Sequence, residues 1–180
     1  TEVLKYEGSN TEVIDLKGNT LIPGFIDIHT HPILSAKTAE TIDISGFNHK
    51  NQAEVMESLK KGIEEKGSGE WAIAYGWDPA ILRDLEAPTL KELDQMAPEN
   101  PLFIIAQTLH SGFANSLTFE AAGITKDTPD PEGGYFDKDE NGELTGLIVE
   151  VGAMAKIADA TPKYPRAAYL YLLTKQMETY

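Results

Sequence analysis

The chain contains no cysteine, which removes disulfides, zinc–thiolate centres and thiol nucleophiles together. Basic residues are few: 15 Lys and Arg stand against 29 Asp and Glu, a formal net charge of −14. Binding a phosphate backbone needs Lys and Arg to displace counterions, so nucleic acid is not an expected partner. The acidic excess reads instead as a solvated surface. No apolar run approaches the roughly 18–20 residues of a membrane span. The opening Thr1-Glu2-Val3-Leu4-Lys5-Tyr6 also lacks the apolar core of a signal peptide. These absences leave a small-molecule substrate and no membrane partner, and the lack of thiols fits a cytoplasmic location. An initiator Met is missing as well, and an amphipathic run is still in progress at Tyr180, so a fragment of a longer protein is expected.

What is present is ordinary for a globular chain: 41% hydrophobic and 24% charged residues over 180 positions, enough for one sizeable core. Helix signals are the clearest. Asn51 with Glu54 predicts a cap, after which Val55, Leu59 and Ile63 recur every four residues, with a stop near Gly67. Thr89 with Glu92 forms a capping box before Leu90, Leu93 and Met96, and Pro98 ends that helix. Asn115 or Ser116 starts a third helix that stops at Gly123. A last one begins near Pro165, with Tyr169, Leu172, Leu173, Met177 and Tyr180 on one face.

Strand-like runs lie between the helices, at residues 71–75, 102–106 and 144–149. Asp139-Glu140-Asn141-Gly142 predicts a hairpin turn between Gly134-Tyr135-Phe136 and the last run. Near the front, Glu12 to Leu16 followed by Gly18-Asn19 reads as a strand and a turn. Pro23-Gly24-Phe25-Ile26-Asp27-Ile28-His29-Thr30-His31-Pro32 then reads as a short buried strand bounded by prolines.

Alternation along a strand puts His29 and His31 on one face. Two imidazoles one pleat apart can converge on a divalent ion, at about 2.0–2.1 Å. Asp27 shares that face and could orient a ligand. A bare His-x-His is equally at home as a hydrogen-bonded pair at a strand end. The surrounding decapeptide, however, closely resembles the first-strand signature of the amidohydrolase superfamily. Further segments resemble the branch of that superfamily that includes N-substituted formamide deformylases: Ala74-Tyr75-Gly76-Trp77-Asp78-Pro79, His110-Ser111-Gly112-Phe113-Ala114-Asn115-Ser116 with Gly123-Ile124, and Gly146-Leu147-Ile148-Val149-Glu150.

The resemblance implies a metal-bearing (β/α)8 barrel preceded by a small β-sandwich, with a long insertion after the first barrel strand. Mapped onto this chain, residues 1–22 are a sandwich remnant and 23–32 the first barrel strand. Residues 33–160 are an α+β insertion domain with a largely antiparallel sheet and packed helices, and 161–180 are the first barrel helix of an incomplete barrel. It further implies a hydrolase acting on carbon–nitrogen bonds other than peptide bonds, of amide or N-formyl type, through a metal-activated water. The cofactor would be a divalent metal, zinc by family, held in part by His29 and His31. Trp77, His110 and Glu150 are the candidate substrate-binding residues. Set against those roles, Trp77 can be a core aromatic, His110 a loop or capping histidine, and Glu150 a solvated strand-end carboxylate. Asn115 reads as a helix cap.

The family's remaining ligands and its general base have no counterpart here, since the other histidines, His49 and His110, fall in the insertion. No catalytic residue is identifiable, and the chain alone is expected to be inactive. A deaminase or phosphotriester hydrolase of the same superfamily is the alternative enzyme reading, and a stand-alone binding module the non-enzyme one. A homo-dimer through the uncovered ends is also expected.

Overall fold

The structure is a computed structural model that describes residues 2–178; Tyr180 of the expected helical stripe lies outside them. It divides into two units, one running to Thr30 and one from His31 onward. The first holds a 3-10 turn at Glu2–Tyr6 and no strand. The tight turn at Gly18 is present: Asn19 donates to the Leu16 carbonyl at 3.0 Å, with Lys17 and Gly18 left-handed. The strands expected at 12–16 and 25–31 are not formed. Phe25 is 97% exposed and Ile28 94%, and no strand of the sheet pairs with them. A strand is held by its ladder, and high β-propensity without a partner leaves the backbone extended and solvated.

Among its described residues the second unit carries six strands and six helices. The strands are β1 (Ile42–Asp43), β2 (Ala72–Trp77), β3 (Leu102–Ala106), β4 (Ser111–Ala114), β5 (Tyr135–Lys138) and β6 (Leu144–Val149). The helices are α1 (Pro32–Thr38), α2 (Gln52–Glu64), α3 (Leu90–Met96), α4 (Ser116–Ala121), α5 (Glu150–Ala160) and α6 (Arg166–Met177). The fold is α+β, with one sheet in the order β1-β2-β3-β4-β6-β5. The sheet is mixed: β1, β2 and β3 run parallel, while the three pairings from β3 through β4 and β6 to β5 are antiparallel. The parallel part exists because α2 and α3 act as crossovers, which parallel neighbours require.

Each sheet face is covered. Val55, Leu59 and Ile63 of α2 and Leu93 of α3 pack with Ala72, Ala74, Leu102 and Ile104. Phe119 of α4 and Ala153, Met154 and Ile157 of α5 pack with Phe103, Phe136 and Ile148 on the other side. Successive residues of β3 therefore feed opposite cores, as a period of two dictates, and each large aliphatic side chain buried this way contributes about 1.5–3 kcal/mol.

The caps follow the sequence. Asn51 accepts from Glu54 N, the Thr89–Glu92 capping box is complete, and Asn115 accepts from Thr118 N. The hairpin at Asp139–Gly142 is present, with Asp139 N donating to Glu143 O at 2.8 Å and Gly142 left-handed. Four elements of the second unit have no forecast in the sequence: the two-residue β1, α1, β4 and α5. α1 begins at Pro32, whose fixed φ serves a first helical turn as well as a strand stop. β4 is only four residues long. α5 leaves β6 without a loop or a side-chain cap, so the apolar run through Ile157 hides the change of period. On α6, Tyr169, Leu172 and Leu173 are half-buried and Met177 is exposed. This helix packs on α1, and Lys37 Nζ lies 5.3 Å from the centre of the Tyr169 ring.

After β1 the chain turns around Asp43, whose carboxylate accepts from Ser45 N at 2.8 Å and from the Asn48 amide. Burial pushes Asp43 up, but the Ser45 backbone N–H, the Asn48 amide, the Ser45 hydroxyl and the nearby His49 hold its carboxyl below the usual carboxylate range.

Two outcomes follow for stability. Asn115 is fully buried; it accepts from Leu102 N and Thr118 N and donates to the carbonyls of Ala97 and Asn100. Asn115→Ala is expected to cost about 2–4 kcal/mol, read as a lower urea midpoint at unchanged slope. Because the folded-state pKa of Asp43 lies below its unfolded value, its contribution is present at neutral pH and is lost as pH falls through the folded value. The urea midpoint of Asp43→Asn should therefore decline less than wild type between pH 7 and pH 3. Parallel declines would remove Asp43 from the account.

Candidate active site

The strand directions gather several functional candidates at one edge of the sheet. β1, β2, β3 and β6 all end there, and β4 and β5 begin there. Asp43 closes β1, Trp77 closes β2, His110 precedes β4 and Glu150 follows β6. In open sheets with a parallel part, the carboxyl ends of the strands are where ligands bind, because the connecting loops leave a crevice there.

A cleft of about 360 Å³ opens along this edge, lined by Ser35, Thr38, Asp43, Ser45, Tyr75 and Gln107 among others. Hydroxyl, amide and carboxylate groups line it beside the apolar Ala39 and Phe47. The Tyr75 hydroxyl donates to the Gln107 carbonyl at 3.3 Å, and burial holds its phenol above the ordinary range. Gly76, at φ +113°, lies against the Ser45 backbone, where a Cβ would come within 2.7 Å of Ser45 Cα and N. Asp43, Ser45 and Gln107 were not expected from the sequence. The only local signal there is the alternation Thr41-Ile42-Asp43-Ile44-Ser45, too short to stand apart from a loop.

The turn from β3 to β4 joins the cleft to the second group. Gln107 N donates to the Trp77 carbonyl at 3.0 Å, and Leu109 N to the Ala106 carbonyl at 3.0 Å. This puts His110 directly beyond the last β4–β6 pair, Ser111 with Val149. Glu150 stands opposite. Its backbone N donates to the His110 carbonyl at 2.6 Å, and its carboxylate is 2.9 Å from His110 Nδ1. The structure thus brings together two of the three candidate substrate residues. The third, Trp77, is 4% exposed and packs edge-on against Phe113, with ring centres 5.5 Å apart. Its ring belongs to the core, while its carbonyl holds the turn that carries His110.

The metal-ligand candidates sit on exposed backbone. His29 N donates to Asp27 Oδ1 at 2.9 Å, so Asp27 shapes the local turn through the backbone. His31 is the N-cap residue of α1, and its carbonyl accepts from Ser35 N at 2.9 Å. His49 is held by Ser45 O and Ser58 Oγ, at 2.9 and 2.8 Å from its two ring nitrogens. Among the described residues, no three or more His, Asp or Glu side chains converge as a metal would require. No described helix is long and apolar enough to cross a membrane.

Comparison with known proteins bears on the same residues. Residues 12–180 match the amidohydrolase family. Over 153 residues the chain is 35% identical to the N-substituted formamide deformylase of Arthrobacter pascens, covering 85% of this chain and 28% of that protein. Over 143 residues it is 30% identical to protein LONG AFTER FAR-RED 3 of Arabidopsis thaliana, covering 79% of this chain and 24% of that one. A crystal structure of an uncharacterized metal-dependent hydrolase from Pyrococcus horikoshii OT3 superposes with a TM-score of 0.55 and 26% identity, over 99% of this chain and 32% of that chain. The chain therefore spans about a quarter to a third of the length of the proteins it matches. With a matching region that runs through the His-x-His segment, the sheet and the last helix, the chain belongs to the amidohydrolase family.

Proposed function

We propose that these residues form the front part of a metal-dependent hydrolase that opens a carbon–nitrogen bond of an amide or N-formyl group. The observation that carries this reading is the family match from residue 12 to 180, which includes His29 and His31 in their Pro-Gly-Phe-Ile-Asp-Ile-His-Thr-His-Pro setting. The name of the deformylase relative supports the substrate class. In this reading residues 1–22 belong to a β-sandwich and 23–32 to the first barrel strand. Residues 33–160 are an insertion, and 161–180 return to the barrel as its first helix. The exposed Phe25, Ile26 and Ile28 are then covered by neighbouring barrel strands, which would supply the missing ladder.

His29 and His31 are donors of the type a divalent ion takes, zinc by family. They are two of the three or more protein ligands a catalytic ion needs. When bound, such a metal lowers the pKa of its water towards about 7 and polarises the substrate carbonyl. This chain's own contribution is to present the two imidazoles and to place the polar sheet edge, with His110 and Glu150, on the substrate side. Trp77 serves that edge from beneath, by holding the turn before His110. The 180 residues alone are expected to turn over no substrate.

In the complete enzyme, His29→Ala and His31→Ala should each lower bound metal, measured by elemental analysis, and reduce amide hydrolysis to background. The circular dichroism spectrum should stay unchanged, because neither side chain belongs to the two cores that hold the sheet and its helices. Full metal content and full rate in both variants would sink the ligand assignment.

A further inference from the structure

The sheet edge spends backbone strain on one exposed pair. Apart from Lys17 in the first unit, the non-glycine residues in the left-handed region among the described residues are Leu109, at φ +64°, and Glu150, at φ +69°. They are the residue before His110 and its partner. A left-handed non-glycine residue is costly, and Gly would avoid the cost. The hydrogen bond offers little in return, since the His110 and Glu150 side chains are 63% and 52% exposed and exposed pairs add little stability. Strain kept without a stabilising return is the mark of a geometry held for another purpose.

That geometry fixes the imidazole. An ionised carboxylate only accepts hydrogen bonds, so at 2.9 Å from Glu150 Oε2 the His110 Nδ1 carries the proton. In the neutral ring, Nε2 is then left as an acceptor, on the same sheet edge as the cleft. We propose that His110 and Glu150 form one substrate-binding unit: Glu150 is a positioning residue that sets the tautomer, and His110 Nε2 accepts the N–H of an N-monosubstituted amide. This rests on the hydrolase reading for the class of ligand. It predicts a preference that composition cannot: an amide without an N–H should not engage the site.

The test uses the 180-residue chain and needs no turnover. Long-range 1H–15N spectra should show His110 as the Nδ1–H tautomer in wild type. In Glu150→Ala and Glu150→Gly the ring should move towards the Nε2–H form that free imidazole favours. N-methylformamide should shift the His110 Nε2 resonance of wild type, and N,N-dimethylformamide should leave it in place; both variants should lose the distinction. Glu150→Gly should keep or raise the Tm, because Gly relieves the left-handed backbone. An Nε2–H tautomer in wild type, an equal or absent response to the two amides up to their solubility, or a Tm several degrees lower in Glu150→Gly would each overturn the proposal. None of these readouts involves His29, His31 or metal. Failure of the hydrolase reading, seen as full rate and metal content in the histidine variants, is therefore distinguishable from failure here.

Discussion

Four backbone groups from four parts of the chain end on one side chain. Asn115 takes the first amide of β3 and the Thr118 amide in α4, and gives its own protons to the carbonyls at the end of α3 and in the following loop. At full burial each of these groups would otherwise lose its hydrogen bond to water with nothing to replace it. The start of the central strand, the stop of one helix and the start of another are thus set by a single amide. β3 stands between the two cores, so its register fixes where both helix layers dock.

From that register the functional edge follows. β3 pairs parallel with β2 and antiparallel with β4, making it the strand at which the sheet changes character. The reversal is made by the short turn 107–110, tied to the ends of β2 and β3. A longer connection would lift His110 off the edge. The short one, with Leu109 left-handed, holds it opposite the point where β6 becomes α5. Packing beneath and strain above are therefore coupled: Trp77 and Phe113 fill the core, and the same segment's carbonyls aim the exposed imidazole.

The electrostatics divide along the same line. At the sheet edge the exposed Asp43 carboxylate is held by hydrogen bonds from the Ser45 amide and the Asn48 side chain. The acidic excess lies elsewhere, on exposed helix faces and turns. One example is Asp139, whose carboxylate is kept below its ordinary range by the backbone N–H of Glu143, with those of Asn141 and Gly142 adding to it. A charge of −14 therefore coexists with a cleft whose lining includes a single acidic residue, Asp43.

What the sequence by itself determined is whatever closes within a few residues. The caps at Asn51, Thr89 and Asn115 and the hairpin at Asp139–Gly142 each depend on a side chain reaching a backbone amide two to four positions away. The family signature around His29 and His31 is likewise a contiguous string. What only the tertiary structure decided depends on partners far along the chain. High β-propensity at 25–31 made no strand, because no ladder partner meets it. The mixed order of the sheet arose from which helix covers which face. α5 was hidden inside an apolar run, since exposed apolar residues such as Val151 blur the one-sided pattern of its buried Ala153, Met154 and Ile157. The meeting of His110 with Glu150, 40 positions on, has no trace in either local segment. It exists because β4 and β6 pair with Ser111 against Val149, and pairing of that kind is settled by shared burial rather than by neighbours in sequence.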